Sequence, residues 1–461
     1  MAAQEAAPTS ATQILGRFAA DLRFESLPQT VVTQACHILL DTIGCAIGAW
    51  HEDPAKGRIA TDLAKSFGAT GSATIWGSGG MKTDAALAAM ANGILANAAD
   101  FDDTHKRALL HTGSVVVPTV LALAQERQLS GKAAIVAIVA GYEVAVRVGM
   151  AVMPTHYRFW HSTATNGTFG SAAAAASAMG LDAEQARMAL GFAGTQAAGL
   201  NTFFTSGDFT KSLHPGKAAF NGVLSARLAE IGATSPPTML EHEKGYLAAY
   251  SLEPKADALV AGLGSTWEIL QNGFKYFPSI LASHAPIQAT LSLVQEHDIK
   301  PAEIASIKNE TYSTVKTHFS SKTVTTSMGA RVSVPYCIAV AALDRKVGQG
   351  QFAESRVAGA DVQSLLKNTD VIADAELTKL YPDKFPARVT IVLRDGRTLT
   401  ALRNFPKGDP QEPLTRAEIE SKFLANVEAR LTASQAARAI DVIDSLAEHR
   451  DLSPLFDLIG R

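Results

Sequence analysis

The chain has 461 residues, 47% hydrophobic and 18% charged, a globular composition long enough for two or three domains. Its net charge of −3 excludes the positive field of a nucleic-acid-binding surface, so an anionic substrate must be met by charge local to a pocket. Cys36, Cys45 and Cys337 show neither disulfide nor metal spacing, which suits a reducing compartment.

Met1 to Thr12 is Ala-rich and carries Glu5. It lacks the basic and apolar regions of a signal peptide and the arginines of a transit peptide, so it reads as a short mobile tail. No uninterrupted apolar stretch is long enough to span a bilayer, and the expected location is cytoplasmic, without membrane contact. From there to about residue 260 the pattern is helix after helix. Ala, Leu and Met recur at helical spacing over Pro28–Ala46, Thr83–Ala99, Val117–Arg127, Lys132–Val148, Thr168–Met179 and Ala183–Ala198. Ser26 and Pro28 fit the cap and opening turn of the first of these. Small residues on several faces, as in Ser171–Ala178, suit close packing inside a bundle.

Beyond about residue 265 the pattern changes. Ile304–Val315 has strand character, and Arg388–Leu393 and Arg397–Leu402 flank Asp395–Gly396, a hairpin signal. Val334–Leu343 reads as a helix begun near Pro335. After about residue 410 helices return over Thr415–Leu431 and Ala433–Glu448, with Thr415 and Glu418 spaced as a capping box. The predicted fold class is mostly α: a large all-helical domain (residues 1–265 plus 410–461) interrupted by a smaller α+β lid domain (266–409).

Four clusters could carry chemistry. The run Asp100–Phe101–Asp102–Asp103–Thr104–His105 ends the helical stretch Thr83–Ala99. Its carboxylates suit a hard cation or helix termination, although no calcium-loop pattern follows and capping explains one aspartate better than three. His105 and His111 are six apart, which is not the i, i+4 geometry of zinc. His161 precedes an Ala-rich helix whose N-terminus would attract an anion, so its imidazole could share that task, shuttle a proton or simply satisfy core hydrogen bonds. In Thr210–Ala219, Pro215 fits the first position of a helix, which makes His214 its cap and places Lys211 just upstream. Lys275 and His284 lie near the predicted domain boundary, where pockets gather. No nucleophile elbow, P-loop or dinucleotide fingerprint is present, which disfavours nucleotide chemistry.

Taken in order, these segments resemble the MmgE/PrpD family, which includes 2-methylcitrate dehydratase, cis-aconitate decarboxylase and iminodisuccinate epimerase. The matching pieces are Ala99–His105, His111 with Val117–Pro118, Gly141–Glu143, His161–Gly170, Leu190–Leu200, Thr210–Ala219 and Lys275–His284. The resemblance implies a homodimer, a site between the domains, a small polycarboxylate substrate, and catalysis with no cofactor and no metal. Asp100, Thr104, His111, His161 and Lys211 match the decarboxylase site. Tyr336, in Ser333-Val334-Pro335-Tyr336, matches a family tyrosine, and His284 matches the histidine after the family's lysine–tyrosine–proline stretch. His214 and Lys275 join His284 as expected substrate-binding residues. Two departures stand out. Ile280 and Leu281 replace small or basic residues and, facing the pocket, would imply a smaller substrate or fewer carboxylates. Met328–Arg331 lacks the acidic or amide residue often found there.

The expected chemistry is proton transfer next to a carboxylate, catalysed by a cofactor-free lyase of dehydratase or decarboxylase type acting on a di- or tricarboxylic acid. Lys211 and Lys275 would hold carboxylates, His111 or His161 would move the proton, Asp100 would orient a histidine or act as a second acid/base, and Thr104 would donate a hydrogen bond. The alternatives are an epimerase of an amino or imino dicarboxylate, and a non-catalytic binding protein on the same fold.

Overall fold

Ser10 accepts from the backbone of Gln13, whose side chain accepts from the Ser10 amide, and this capping box starts helix α1 (Ala11–Asp21). The computed structural model describes residues 10–206 and 208–461, the side chains of 205 and 206 excepted. Most of the predicted tail therefore lies outside the described residues, but its end is corrected. Thr12 is a buried helical residue whose hydroxyl donates to Glu241 Oε2 at 2.5 Å.

The helices α2 (Gln29–Glu52), α3 (Pro54–Ser66), α4 (Ala85–Ala96), α5 (Gly113–Arg127), α6 (Gly131–Val152), α7 (Ser162–Ala178) and α8 (Ala183–Gln196) follow. Pro28 caps α2 rather than opening it, and Ser26 lies in a separate turn with its hydroxyl on the Arg23 carbonyl. The start of α7 is six residues earlier than its apolar pattern. Thr165 and Thr168 return their hydroxyls to carbonyls one turn back, at 3.3 and 2.8 Å, so the small polar stretch continues the helix. A Cβ at Gly170 would lie 2.8 Å from the Gly141 carbonyl oxygen and 2.5 Å from Ala145 Cβ, so α6 and α7 approach to backbone contact.

By length and hydropathy α2 and α6 could each cross a bilayer, but both are packed in the interior. A Glu143–Arg147 ion pair of 3.2 Å, also buried, lies within α6. The one-turn helix α9 (Phe203–Ser206), the long α10 (Thr210–Glu230) and the short α11 (Tyr246–Tyr250) complete this half. Two-residue ribbons pair β1 (Ala73–Thr74) with β2 (Lys82–Thr83), and β3 (Thr104–His105) with β4 (Asn272–Gly273).

The smaller unit comprises α12 (His284–Glu296), β5 (Ile304–Thr311), α13 (Ser313–His318), α14 (Ser327–Arg331), α15 (Val334–Asp344), α16 (Glu354–Val357), α17 (Ala360–Lys367), β6 (Thr369–Ala373), α18 (Ala375–Lys379), β7 (Ala387–Leu393) and β8 (Thr398–Arg403). Its sheet runs β6-β5-β7-β8, with β5–β6 parallel and the other pairs antiparallel. Ala387, Val389, Ile391 and Leu393 alternate inward along β7, facing the core that α12 and α15 also line. Gly396 takes a φ of 91° in the Asp395–Gly396 turn, as the hairpin requires.

Helices α19 (Arg416–Val427), α20 (Ala433–Asp444) and α21 (Ser453–Ile459) close the chain, the first through the Thr415/Glu418 capping box. One apolar core takes residues from Leu15 to Phe274 and again from Leu414 to Ile459, whereas a second runs from Phe277 to Leu393.

Candidate active site

After α4 the chain enters a buried, irregular turn. Buried carbonyls outside regular structure need donors, and here four consecutive carbonyls each accept from a different cationic side chain. Lys56 Nζ donates to Ala98 at 2.6 Å, Arg331 Nη1 to Ala99 at 3.1 Å, Lys275 Nζ to Asp100 at 2.8 Å and Lys422 Nζ to Phe101 at 2.6 Å. These donors come from α3, α14, the segment after β4, and α19. They hold Asp100 in a left-handed conformation with φ 51°, one that aspartate tolerates better than most residues.

The three aspartates of the turn do different things. Asp100 Oδ1 lies 2.6 Å from Lys211 Nζ and 2.5 Å from Lys275 Nζ, all three groups being buried. Burial alone would raise its pKa, but Lys211, Lys275 and His111 hold it well below the usual carboxylate range. Its Oδ2 has no hydrogen-bond partner among the described residues. Asp102 accepts from Asn97 Nδ2 at 2.9 Å and sits 3.4 Å from His111 Nδ1. Asp103 accepts from Tyr142 Oη at 2.5 Å, Asn272 Nδ2 at 2.7 Å and the Gly113 amide at 3.0 Å. Burial, with Asp102 and Asp41 nearby, pushes it up to about 7 despite those bonds. His105 turns away, with Nε2 3.5 Å from Glu268.

His111 has its tautomer set by its surroundings. Nδ1 lies 3.0 Å from the Asp103 carbonyl, 3.2 Å from Thr104 Oγ1 and 3.4 Å from Asp102 Oδ1. Acceptors surround that nitrogen, so it carries the proton and leaves Nε2 basic, 3.7 Å from Asp100 Oδ1. Burial, with Lys275 and Lys211 adding, pushes its pKa down to about 4, so the ring is neutral near pH 7. His161 caps α7, and its ring centroid is 6.3 Å from that of His111. Burial, then His214 and Lys211, hold its pKa well below the ordinary value.

The helical reading of Thr210–Ala219 needs correction. Helix α10 starts at Thr210, whose amide bonds Asp208 Oδ1 at 2.8 Å, so Pro215 lies inside the helix and His214 does not cap it. Lys211 is in the first turn, and His214 Nδ1 meets His161 Nδ1 at 2.9 Å. His284 opens α12, with Nε2 3.3 Å from the Ser279 carbonyl. Burial and then Lys275 push it down to about 3. The structure thus brings together Asp100, Thr104, His111, His161, Lys211, His214 and Lys275, and sets His284 beside them.

Tyr336 is placed elsewhere, buried in the smaller core with its hydroxyl on the Gln351 carbonyl at 2.6 Å and its ring against Phe352. Among the described residues, no hydrogen bond joins it to the Asp100 cluster. Ile280 packs into the smaller core; Leu281 packs against that core as well and borders a crevice with Thr104, Phe274, Lys275 and Asp409.

Arg331, Lys422 and Lys56 escaped the sequence reading. Lys422 had a signal, because it shares the buried face of α19 with Ile419, Phe423 and Asn426. A lysine at a core position of an amphipathic helix asks for a partner, and here the partner is Asp41 at 2.6 Å.

Ligand atoms of Asp100, Asp102 and His111 lie within 4.8 Å of one another, as a metal site would require. The ammonium groups of Lys211 and Lys275 already share Asp100 Oδ1, and their charge opposes a divalent cation there. One carboxylate set between two ammonium groups leaves positive charge for an anion instead.

The MmgE/PrpD N-terminal domain description matches residues 13–258 and the C-terminal domain description matches residues 277–448. The chain belongs to the MmgE/PrpD family. Among curated MmgE/PrpD relatives, cis-aconitate decarboxylase of Aspergillus terreus is 27% identical over 98% of this chain and 96% of its own length. Human cis-aconitate decarboxylase is 27% identical over 95% and 92%. A cis-aconitate decarboxylase-like protein of Aspergillus oryzae is 27% identical over 97% of each.

Proposed function

We propose that this protein is a lyase that decarboxylates a small unsaturated polycarboxylate, using side-chain acids and bases alone. The observation that carries this reading is the buried pair of ammonium groups, Lys211 and Lys275, converging on Asp100 Oδ1 next to neutral imidazoles. The relatives named cis-aconitate decarboxylase support the substrate class.

Loss of CO₂ breaks a carbon–carbon bond and leaves an electron pair on carbon. That charge spreads onto a neighbouring carboxylate, and Lys211 and Lys275 stabilise it in a site of low dielectric. A histidine that has taken a proton from solvent on Nε2 then delivers it to the carbon. His111 is held with Nε2 free, and His161 faces it. The lysines also fix which carboxylate stays, because the one they hold is the one that takes up the charge.

The test is incubation with cis-aconitate in D₂O, followed by proton NMR. The expected result is CO₂ release with one deuterium bound to carbon in the product. No CO₂ release, no water loss and no exchange with any di- or tricarboxylate would leave a binding protein as the better description. The His111–His161 separation of 6.3 Å also favours a second reading, an epimerase that removes a proton on one face and returns it on the other. That reading predicts deuterium exchange without a change in composition.

A further inference from the structure

We propose that His214 is a positioning residue. Its bare Nδ1 accepts the Nδ1 proton of His161, so His161 presents Nε2 to the substrate and the two rings work as one acid–base unit. The catalytic consequence rests on the lyase reading, but the proton placement does not.

The two Nδ1 atoms are 2.9 Å apart, with ring centroids 5.0 Å apart and planes at 38°. At that separation the nitrogens share a single proton, because two would collide and none would leave facing lone pairs. If the proton sat on His214, His161 would carry its own proton on Nε2 and have no site for a second. With the proton on Nδ1 of His161, Nε2 is free to gain and lose a proton while the shared one stays in place. The second arrangement supports turnover.

The surroundings hold both rings still. The His161 amide donates to the Gly199 carbonyl at 2.9 Å. Phe203 meets His161 edge-on at 5.0 Å and His214 at 5.6 Å. A Cβ at Gly199 would collide with Ala164 Cβ and come 3.3 Å from His214 Nε2, so this residue leaves no room for a larger side chain beside the pair. The charged and titratable groups facing the pair are Lys211 and Lys217 on α10, Asp208 before it, and His111 and Asp100 across the site. Cations predominate on the His214 side, which disfavours a second positive charge there and keeps His214 a neutral acceptor. Burial, with Lys217 and Lys211 adding, pushes its pKa down to about 4.

In the reaction the substrate carbon–carbon bond breaks and CO₂ departs. Nε2 of His161, bare at rest, has by then taken a proton from solvent, and the electron pair left on carbon takes that proton. Nε2 is bare again after the transfer, as in the resting state, and the Nδ1 proton remains between the rings throughout.

The first measurement needs no substrate. The protein is labelled with ¹⁵N-histidine, and the His161 signals are assigned by their loss in His161→Gln. We expect Nδ1 protonated and Nε2 bare at neutral pH; a protonated Nε2 with a bare Nδ1 overturns the proposal. The second measurement uses His214→Leu, with cis-aconitate as the assayed substrate. It should move the His161 proton to Nε2 and lower turnover about 100-fold with little change in KM, the scale of a lost acid–base contribution. His214→Asn can place an amide oxygen near the Nδ1 position and should restore most of the activity. Wild-type turnover and pH profile in His214→Leu overturns the proposal, as does His214→Asn no faster than His214→Leu. If His214→Leu does not fold, the wild-type proton placement and His214→Asn against wild type still decide. If cis-aconitate is not turned over, the lyase reading fails while the proton placement stands or falls on its own spectrum.

Discussion

Lys422 donates to the Phe101 carbonyl at 2.6 Å across 321 residues of sequence, and the same ammonium lies 2.6 Å from Asp41 Oδ1 and over the Phe101 ring. Lys422→Met should therefore act at a distance from any substrate. It leaves Asp41 buried without its partner, a change that costs about 3–5 kcal/mol. It also releases the turn that carries Asp100. Urea denaturation should show the loss, and the double variant Lys422→Met/Asp41→Asn should recover part of the stability. Stability within 1 kcal/mol of wild type, as an approximate threshold set by the value of an exposed pair, would show that the contact contributes little.

Lys211→Met should behave differently. Lys275 still pairs with Asp100 at 2.5 Å, so the carboxylate is not left alone. The protein should fold, but one of the two charges that stabilise the carbanion is gone. Loss of such a group slows turnover by about 100-fold or more, the scale of a missing oxyanion donor. Steady-state kinetics and thermal melting on the same sample separate the two effects. An unfolded variant would mark Lys211 as chiefly structural.

Much of this site was legible because polar residues interrupt apolar helical sequence. Asp100, His111, His161, Lys211 and Lys275 each lie in such an interruption, and the structure gathers them. Helix starts were less legible wherever hydroxyls turn back onto the backbone, as at Thr165, or where proline sits inside a helix, as at Pro215. The pattern at Pro215 fits a first helical position, but the Asp208–Thr210 contact had already started the helix. The convergence of cations beneath the Asp100 turn was hidden for another reason, although Lys422 alone carried a signal in its buried helix position. Lys56, Arg331 and Lys422 come from three separate helices, and no spacing in the chain relates them.

The pH dependence of stability follows from buried histidines. His111, His156 and His214 are pushed down to about 4 and His284 to about 3, in each case first by burial. Their folded pKa values lie below the unfolded value, so the stability they contribute is present above about 6.5 and is lost as pH falls toward 4. Asp103 and Glu143, raised to about 7 by burial, act in the opposite sense and lose stability as pH rises toward 7. With His37, His105 and His161 also held low, and Asp41 and Glu52 also held high, seven histidines against four carboxyls leave a net proton uptake on unfolding. Asp100 adds to the acid loss at the lower end, since its folded value is depressed. The urea midpoint should therefore rise from pH 4.5 to about 6.5 and then level off. A midpoint that falls across that window would contradict the assignment.

Metal removal should leave activity unchanged. Two ammonium groups occupy Asp100 Oδ1, the carboxylate a cation would need together with Asp102 and His111. Exhaustive dialysis against EDTA, then assay with and without added divalent ions, is the check. Activity lost on dialysis and restored by one metal would show that the lysines yield to a cation.

Tyr336→Phe separates resemblance from position. The family resemblance implies a site role for this tyrosine, yet its hydroxyl donates to the Gln351 carbonyl within the smaller core. Removing the hydroxyl leaves that carbonyl without its partner, a loss of about 1–2 kcal/mol for a buried group. Turnover should stay within about threefold of wild type, because a hydrogen bond confined to one core adds little to a transition state it does not touch. The smaller unit also carries Arg331, which bonds the Ala99 carbonyl beside Asp100, so a general loosening of this unit would lower stability and turnover together. Turnover reduced about 100-fold at unchanged stability, the scale of a lost acid–base group, would mean instead that the hydroxyl leaves Gln351 and reaches substrate during the reaction. Measuring both quantities on one variant distinguishes the two cases.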